Sequence, residues 1–212
     1  MDGDSLVETV TDRTTTELDR LGSEKALVAT TEARLDRTHV VSATVDAERR
    51  AAATFERWAD AETDPEARAA FERVAALERE HAERAAALSE TAVDDAEPDP
   101  DPIHDYLRGL ETTPERVAAG LVARPLVSAR SLLQVVNFFV NEADETAADT
   151  IRDLRAETEA LVDEGGALLE DCCAGEADWE RAATAAERTV DVAYEEYERR
   201  LDGLGIDPKP VC

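Results

Sequence analysis

Glu48, Glu78 and His81 stand at positions where the surrounding pattern calls for core side chains. On one predicted helix the apolar stripe reads Val41, Val45, position 48, Ala52, Phe55, Ala59; on the next it reads Phe71, Val74, positions 78 and 81, Ala85, Leu88. Both stripes advance by three or four residues, as the buried face of a helix does. An unpaired carboxylate is costly to bury, so groups in such places are protonated, paired or bound to metal. Two carboxylates and an imidazole, the last two in a Glu-x-x-His run, are oxygen and nitrogen donors of the kind that suit iron or manganese.

The two helices place these donors at one level. Between them lies Glu62-Thr63-Asp64-Pro65-Glu66, with Asp64 suited to an N-cap and Pro65 to the first helical position. Glu48 and Glu78 are each 15 residues from Thr63, about 22 Å along their helices. The carboxylates should therefore face each other across the hairpin, with His81 one turn beyond Glu78.

Composition bounds the rest. The 212 residues carry 50 Asp and Glu against 23 Lys and Arg, a formal charge of −27, and 43% are hydrophobic. The acidic residues are interleaved with regular apolar stripes, which indicates a folded chain with an acidic surface rather than a disordered one. Only Lys25 and Lys209 are lysine, and this acidic, lysine-poor surface resembles that of haloarchaeal cytosolic proteins. No basic cluster is present to release counterions from a phosphate backbone, so direct nucleic-acid binding is not expected. The start, Met1-Asp2-Gly3-Asp4, lacks the apolar core of a signal peptide. The most apolar stretch, Leu126 to Val140, is interrupted by Arg130, Gln134 and Asn137 and is too short to span a bilayer. Cys172, Cys173 and Cys212 form no disulfide framework and suit a reducing compartment. A cytoplasmic protein without a membrane partner is the expectation.

Helix breakers divide the chain throughout, and no strand-rich region stands out. Helices are expected from about Ser5 to Leu21, from Glu24 to Glu62 with a break near Asp36–His39, and from Pro65 to Thr91. The acidic Asp/Pro segment 93–102 reads as a linker. Beyond it, helices are expected near Ile103–Leu110, over Pro114–Val122, over Leu126–Asn141, over Asp144–Cys172 (weakened by Gly165-Gly166) and over Glu176–Leu201. Leu126–Asn141 is apolar almost all round, which places it at the bundle centre or in a subunit interface. The expected organisation is one helical domain over 1–212, with N-terminal helices in 1–92, C-terminal helices in 103–204 and an irregular tail at 205–212.

Glu48, the turn 15 residues on, and Glu78-Arg79-Glu80-His81-Ala82-Glu83-Arg84 resemble the first helical hairpin of ferritin-like, specifically rubrerythrin-like, proteins. The resemblance covers roughly residues 40–90. It implies an all-α fold, a ferritin-like antiparallel helical bundle with additional N-terminal and linker helices. Such bundles hold two irons between a Glu from each of two helices and Glu-x-x-His from each of the other two. Carried over, Glu48 and His81 are terminal ligands and Glu78 a bridging carboxylate, and the implied chemistry is ferrous oxidation or peroxide reduction. The second half departs from this pattern. His39, His81 and His104 are the only histidines, so no Glu-x-x-His follows residue 104. Core stripes there carry Thr158, Gly165, alanine and valine, and two CxxC loops for a further iron site are missing. Three readings stay open: a bundle that has lost its metals and keeps the trio as a polar cluster, a mononuclear iron or manganese site, and a site completed by a second copy in a homodimer.

Other residues carry weaker signals. His39 suits a surface or capping role, and His104 a solvated helix start. Cys172-Cys173 suits packing at a helix end, with a redox role as the functional alternative, and Cys212 is a terminal thiol. Trp179, Tyr194 and Tyr197 suit the core and its rim. No phosphate-binding glycine loop and no Ser or Cys nucleophile motif occurs. The whole chain, from Arg20-Leu21-Gly22-Ser23-Glu24-Lys25 to Pro208-Lys209-Pro210-Val211-Cys212, also resembles uncharacterised haloarchaeal proteins labelled transcription antitermination. That resemblance implies a regulatory protein acting through protein partners. On either resemblance little or no catalysis is expected from the chain alone.

Overall fold

A computed structural model describes residues 1–91, 93, 96, 98 and 101–209, and the elements among them are all helical. Half of the acidic segment 93–102, and Cys212 with the end of the tail, lie outside the described residues. No helix among the described residues is long and apolar enough to cross a membrane.

Local chemistry sets the boundaries. The expected Ser5–Leu21 helix is two, α1 (Gly3–Arg13) and α2 (Thr15–Leu21), divided at Thr14. There the backbone leaves helical geometry, with φ −110° and ψ 18°; the buried Thr14 hydroxyl donates to the Val10 carbonyl at 2.7 Å, a bond that Thr44 and Thr189 also make inside unbroken helices. The long Glu24–Glu62 segment separates into α3 (Glu24–Thr30) and α4 (Arg37–Ala61). Glu32 and Ala33 between them take φ of 51° and 62°, and Asp36 then caps α4 by accepting the His39 N–H.

α5 (Pro65–Ala86) begins as the sequence implies, with Asp64 accepting the N–H groups of Glu66 and Ala67. Glu62, buried in the turn, accepts N–H bonds from Thr63 and Asp64 and the Thr113 hydroxyl at 3.0 Å, and pairs with Arg116. This one carboxylate fixes the hairpin turn and ties it to the second half of the chain.

After α6 (Pro102–Arg108), the two helices expected around residues 114–141 form one rod. It runs through α7 (Thr113–Val117), a π-helical turn (Ala118–Ala123) and α8 (Arg124–Asn141). Pro125 offers no N–H and would crowd the carbonyl four residues back. The widened turn relieves this, with the Arg124 N–H reaching Ala119 O. α8 is not buried on all sides in the fold: Leu132, Val135, Val136 and Phe139 are buried, while Leu133 and Val140 face solvent.

α9 (Glu145–Cys172) and α10 (Glu176–Gly203) complete the bundle. Gly165 and Gly166 do not weaken α9 so much as let neighbours touch its backbone. A Cβ on Gly165 would stand 2.8 Å from Leu121 Cβ, and one on Gly3 only 2.1 Å from Gly166 O. The core forms two apolar clusters, each drawing on both halves of the chain. The larger holds Phe55, Trp58 and Phe71 in mutual ring contact together with Leu121, Leu161 and Val190. The smaller holds Val45, Ala82, Leu132, Phe139, Ile151 and Leu154. Along α4 and α5 the polar trio falls between residues of one cluster and residues of the other.

Candidate metal centre

α4 buries Glu48 between Val45 and Ala52, and α5 buries Glu78 and His81 between Ala75 and Ala85. The three are 4%, 0% and 0% exposed, so the apolar stripes carry them inside as their spacing predicts. One donor atom from each lies within 4.8 Å of the others, and this buried group could hold a metal ion.

Glu78 Oε2 and His81 Nδ1 are 3.7 Å apart, and both are buried without a hydrogen-bond partner. Two ligands of one first-row ion, bonded at about 2.1 Å in tetrahedral geometry, lie roughly 3.4 Å apart. The observed spacing is close to that. Buried polar atoms without a partner are rare enough to need a reason, and a cation between the two would supply one.

The other edge of the imidazole is committed. His81 Nε2 lies 2.8 Å from Glu157 Oε2 on α9, and Arg84 donates to both Glu157 oxygens at 2.9 Å. With a cation bound between the carboxylates and the ring, Glu157 would accept the hydrogen bond from Nε2–H and leave the Nδ1 lone pair to the ion, the arrangement found behind metal-bound histidines. Burial would raise Glu157, but the bonds from Arg84 and His81 outweigh it and hold the carboxyl below its ordinary range.

Arg124 supplies a fixed positive charge beside the trio. Its side chain is 5% exposed, and Nη2 donates to Glu78 Oε1. The guanidinium lies 5.4 Å from the centroid of the Phe55 ring, over its face. Arg124 follows directly on the π-helical turn, so the irregular turn sets the register at which it enters the core. Burial pushes the Glu48 carboxyl well up, helped by the Glu78 charge, and Glu48 is held as the acid while no cation displaces its proton. Burial acts on Glu78 in the same sense, yet Arg124, His81 and Glu48 together overcome it and keep Glu78 ionised.

The donors therefore fit one divalent cation. They do not fit two, because Arg124 occupies the second oxygen of Glu78 where a bridging carboxylate would meet another ion. α8 and α9 of the same chain pack over Glu78 and His81 through Arg124 and Glu157.

Sequence reasoning placed Glu48, Glu78 and His81 together but missed Arg124 and Glu157. Arg124 had a readable signal, a lone cation set in the apolar run from Val117 to Val127. Glu157 sits beside the stripe residue Thr158 and had none.

The remaining candidates fall elsewhere. His39 sits in the first turn of α4, its N–H capped by Asp36 and its ring Nδ1 2.7 Å from the same carboxylate. His104 is buried, not solvated as expected, because α6 packs against α4 and α10. Cys172 and Cys173 are half-buried, and burial pushes their thiols up to about 12 and about 11, the opposite of what a reactive thiolate needs. Trp179 and Tyr197 are core, with Tyr194 stacked at the rim. In comparisons with known proteins, no family model, curated protein or solved structure matches this chain.

Proposed function

We propose that this chain is a ferritin-like helical bundle that keeps half of a two-metal site as a mononuclear site for iron or manganese. The observation that carries the reading is the buried, partnerless pair of Glu78 Oε2 and His81 Nδ1, with Glu157 orienting the imidazole from behind. Glu48, Glu78 and His81 would hold the ion. When bound, iron or manganese supplies one-electron redox chemistry; the surrounding side chains supply orientation, charge and exclusion of bulk water.

Arg124 stands in for the second cation, compensating the Glu78 charge permanently. This favours a metal-binding protein with little two-electron chemistry over a two-iron oxidase or peroxidase. A regulatory protein acting through partners, as the haloarchaeal resemblance implies, is compatible with the same site in a structural role.

The test is a calorimetric titration of metal-stripped protein, in concentrated potassium chloride, with ferrous and manganous ions under anaerobic conditions. One ion per chain is expected, with binding abolished in His81→Ala. No binding, or two ions per chain, would overturn the reading.

A further inference from the structure

A half-closed cavity of about 160 Å³ lies between α3, α4, α6 and α8 and reaches inward to Glu48 and Arg124. Its walls are mainly small and apolar, among them Ala26, Ala43, Ala47, Val127 and Leu132. A second, more open pocket shares Ala43, Ala47, Asp101 and Ile103 with it and continues past Arg34 and His39. The cavity therefore has a route outward.

One wall carries an Asp–His pair. Asp101, the N-cap of α6, accepts the backbone N–H of His104 and lies 2.8 Å from its ring Nδ1. In the neutral ring with its proton on Nδ1 toward the carboxylate, Nε2 carries a lone pair. His104 is 5% exposed, and Nε2 is buried without a hydrogen-bond partner. Burial works against the Asp101 charge, but His104 and Arg50 prevail and hold the carboxyl down at about 2.

The contrast with the other Asp-x-x-His cap is informative. His39 makes the same contacts with Asp36, but its side chain is 36% exposed. At His104 the same local structure faces a cavity.

The charged groups around this cavity are already committed. Arg124 pairs with Glu78, Asp101 with His104, and Glu48 lies against Glu78 and His81. A charged ligand would find no free counter-ion among them. We propose that the cavity is a binding site for a compact, neutral, largely apolar molecule bearing one hydroxyl, which donates its hydrogen bond to His104 Nε2. The size suits a phenol or a short branched alcohol, since an apolar cavity of roughly 150 Å³ accommodates benzene. The site stands on its own, whether or not the neighbouring trio holds a metal.

The experiment compares phenol with benzene, which shares the ring and lacks the hydroxyl, on the full chain in concentrated potassium chloride. Phenol should bind at least fivefold more tightly than benzene, because it satisfies an acceptor that is otherwise buried without a partner. In His104→Phe the preference should vanish. A measurement on the unmodified chain guards against a variant that fails to fold: the ¹⁵N resonance of His104 Nε2 should move upfield with phenol and stay in place with benzene. Equal affinities in the unmodified chain, no binding of phenol, or phenol binding with an unchanged Nε2 resonance would each overturn the proposal.

Discussion

The α4–α5 hairpin and the α8–α9 hairpin meet across the same polar layer, yet they bring different chemistry to it. The first supplies three potential ligands, Glu48, Glu78 and His81. The second supplies a cation, Arg124, and an orienting carboxylate, Glu157. In a bundle with a two-metal site both hairpins would give ligands. Here one hairpin offers donors and the other sets their charge and direction. On the proposed reading, a fixed guanidinium balances the buried carboxylates where a two-metal bundle would carry its second ion.

The sharpest way to break this division is to remove a ligand from the first hairpin. His81→Ala should lower affinity for ferrous or manganous ion by more than about 100-fold, beyond the loss typical of an outer-shell change; equilibrium dialysis checks this. The next is to remove the second hairpin's cation. Arg124→Met leaves Glu78 buried beside an acid with no fixed positive charge, and should destabilise the metal-free protein by about 3–5 kcal/mol. Added manganese should recover much of that loss in a denaturant melt, because the ion takes over the compensation. A variant as stable as the parent without metal would show that Arg124 is not balancing the layer.

Glu157→Gln sharpens the comparison at smaller scale. The imidazole loses the carboxylate that fixes its tautomer, and metal affinity should fall about 10–100-fold with the fold intact. Glu48→Gln separates stability from binding. Glu48's folded pKa is raised above its ordinary value of 4.5, so its contribution is fully present at low pH and is lost as pH rises above that value. Glutamine escapes that loss, so the metal-free variant should be more stable at pH 7, on the order of 1 kcal/mol, while binding metal less well.

The smallest effect concerns the neighbouring cavity. Asp101 is depressed from 3.8 to about 2, so its contribution is present above the ordinary value and disappears as pH falls through that window. Asp101→Asn should flatten the acid side of the stability curve there, as melts between pH 2 and 5 would show.

What the sequence revealed followed from strict periodicity. Stripes stepping by three and four residues placed Glu48, Glu78 and His81 inside, and the Asp64-Pro65 turn set them at one height. The α1–α2 break was hidden because no Gly or Pro marks it, and only the backbone of Thr14, at φ −110° and ψ 18°, shows it. The continuous rod from α7 to α8 was hidden too, because Pro125 normally ends a helix and only the π-helical turn absorbs it. His104 looked like a solvated helix start since it follows the acidic Asp/Pro segment; burial is decided by packing that no local pattern records. Arg124 and Glu157 come from helices whose pairing with α4 and α5 is a tertiary fact.

The most direct test of the central claim is anomalous diffraction at the iron or manganese absorption edge, from crystals of protein loaded with that ion. The account predicts one peak per chain, bounded by Glu48, Glu78 and His81, with Arg124 still paired to Glu78. No peak among the trio, or a second peak beside Glu78 with Arg124 displaced, would contradict it.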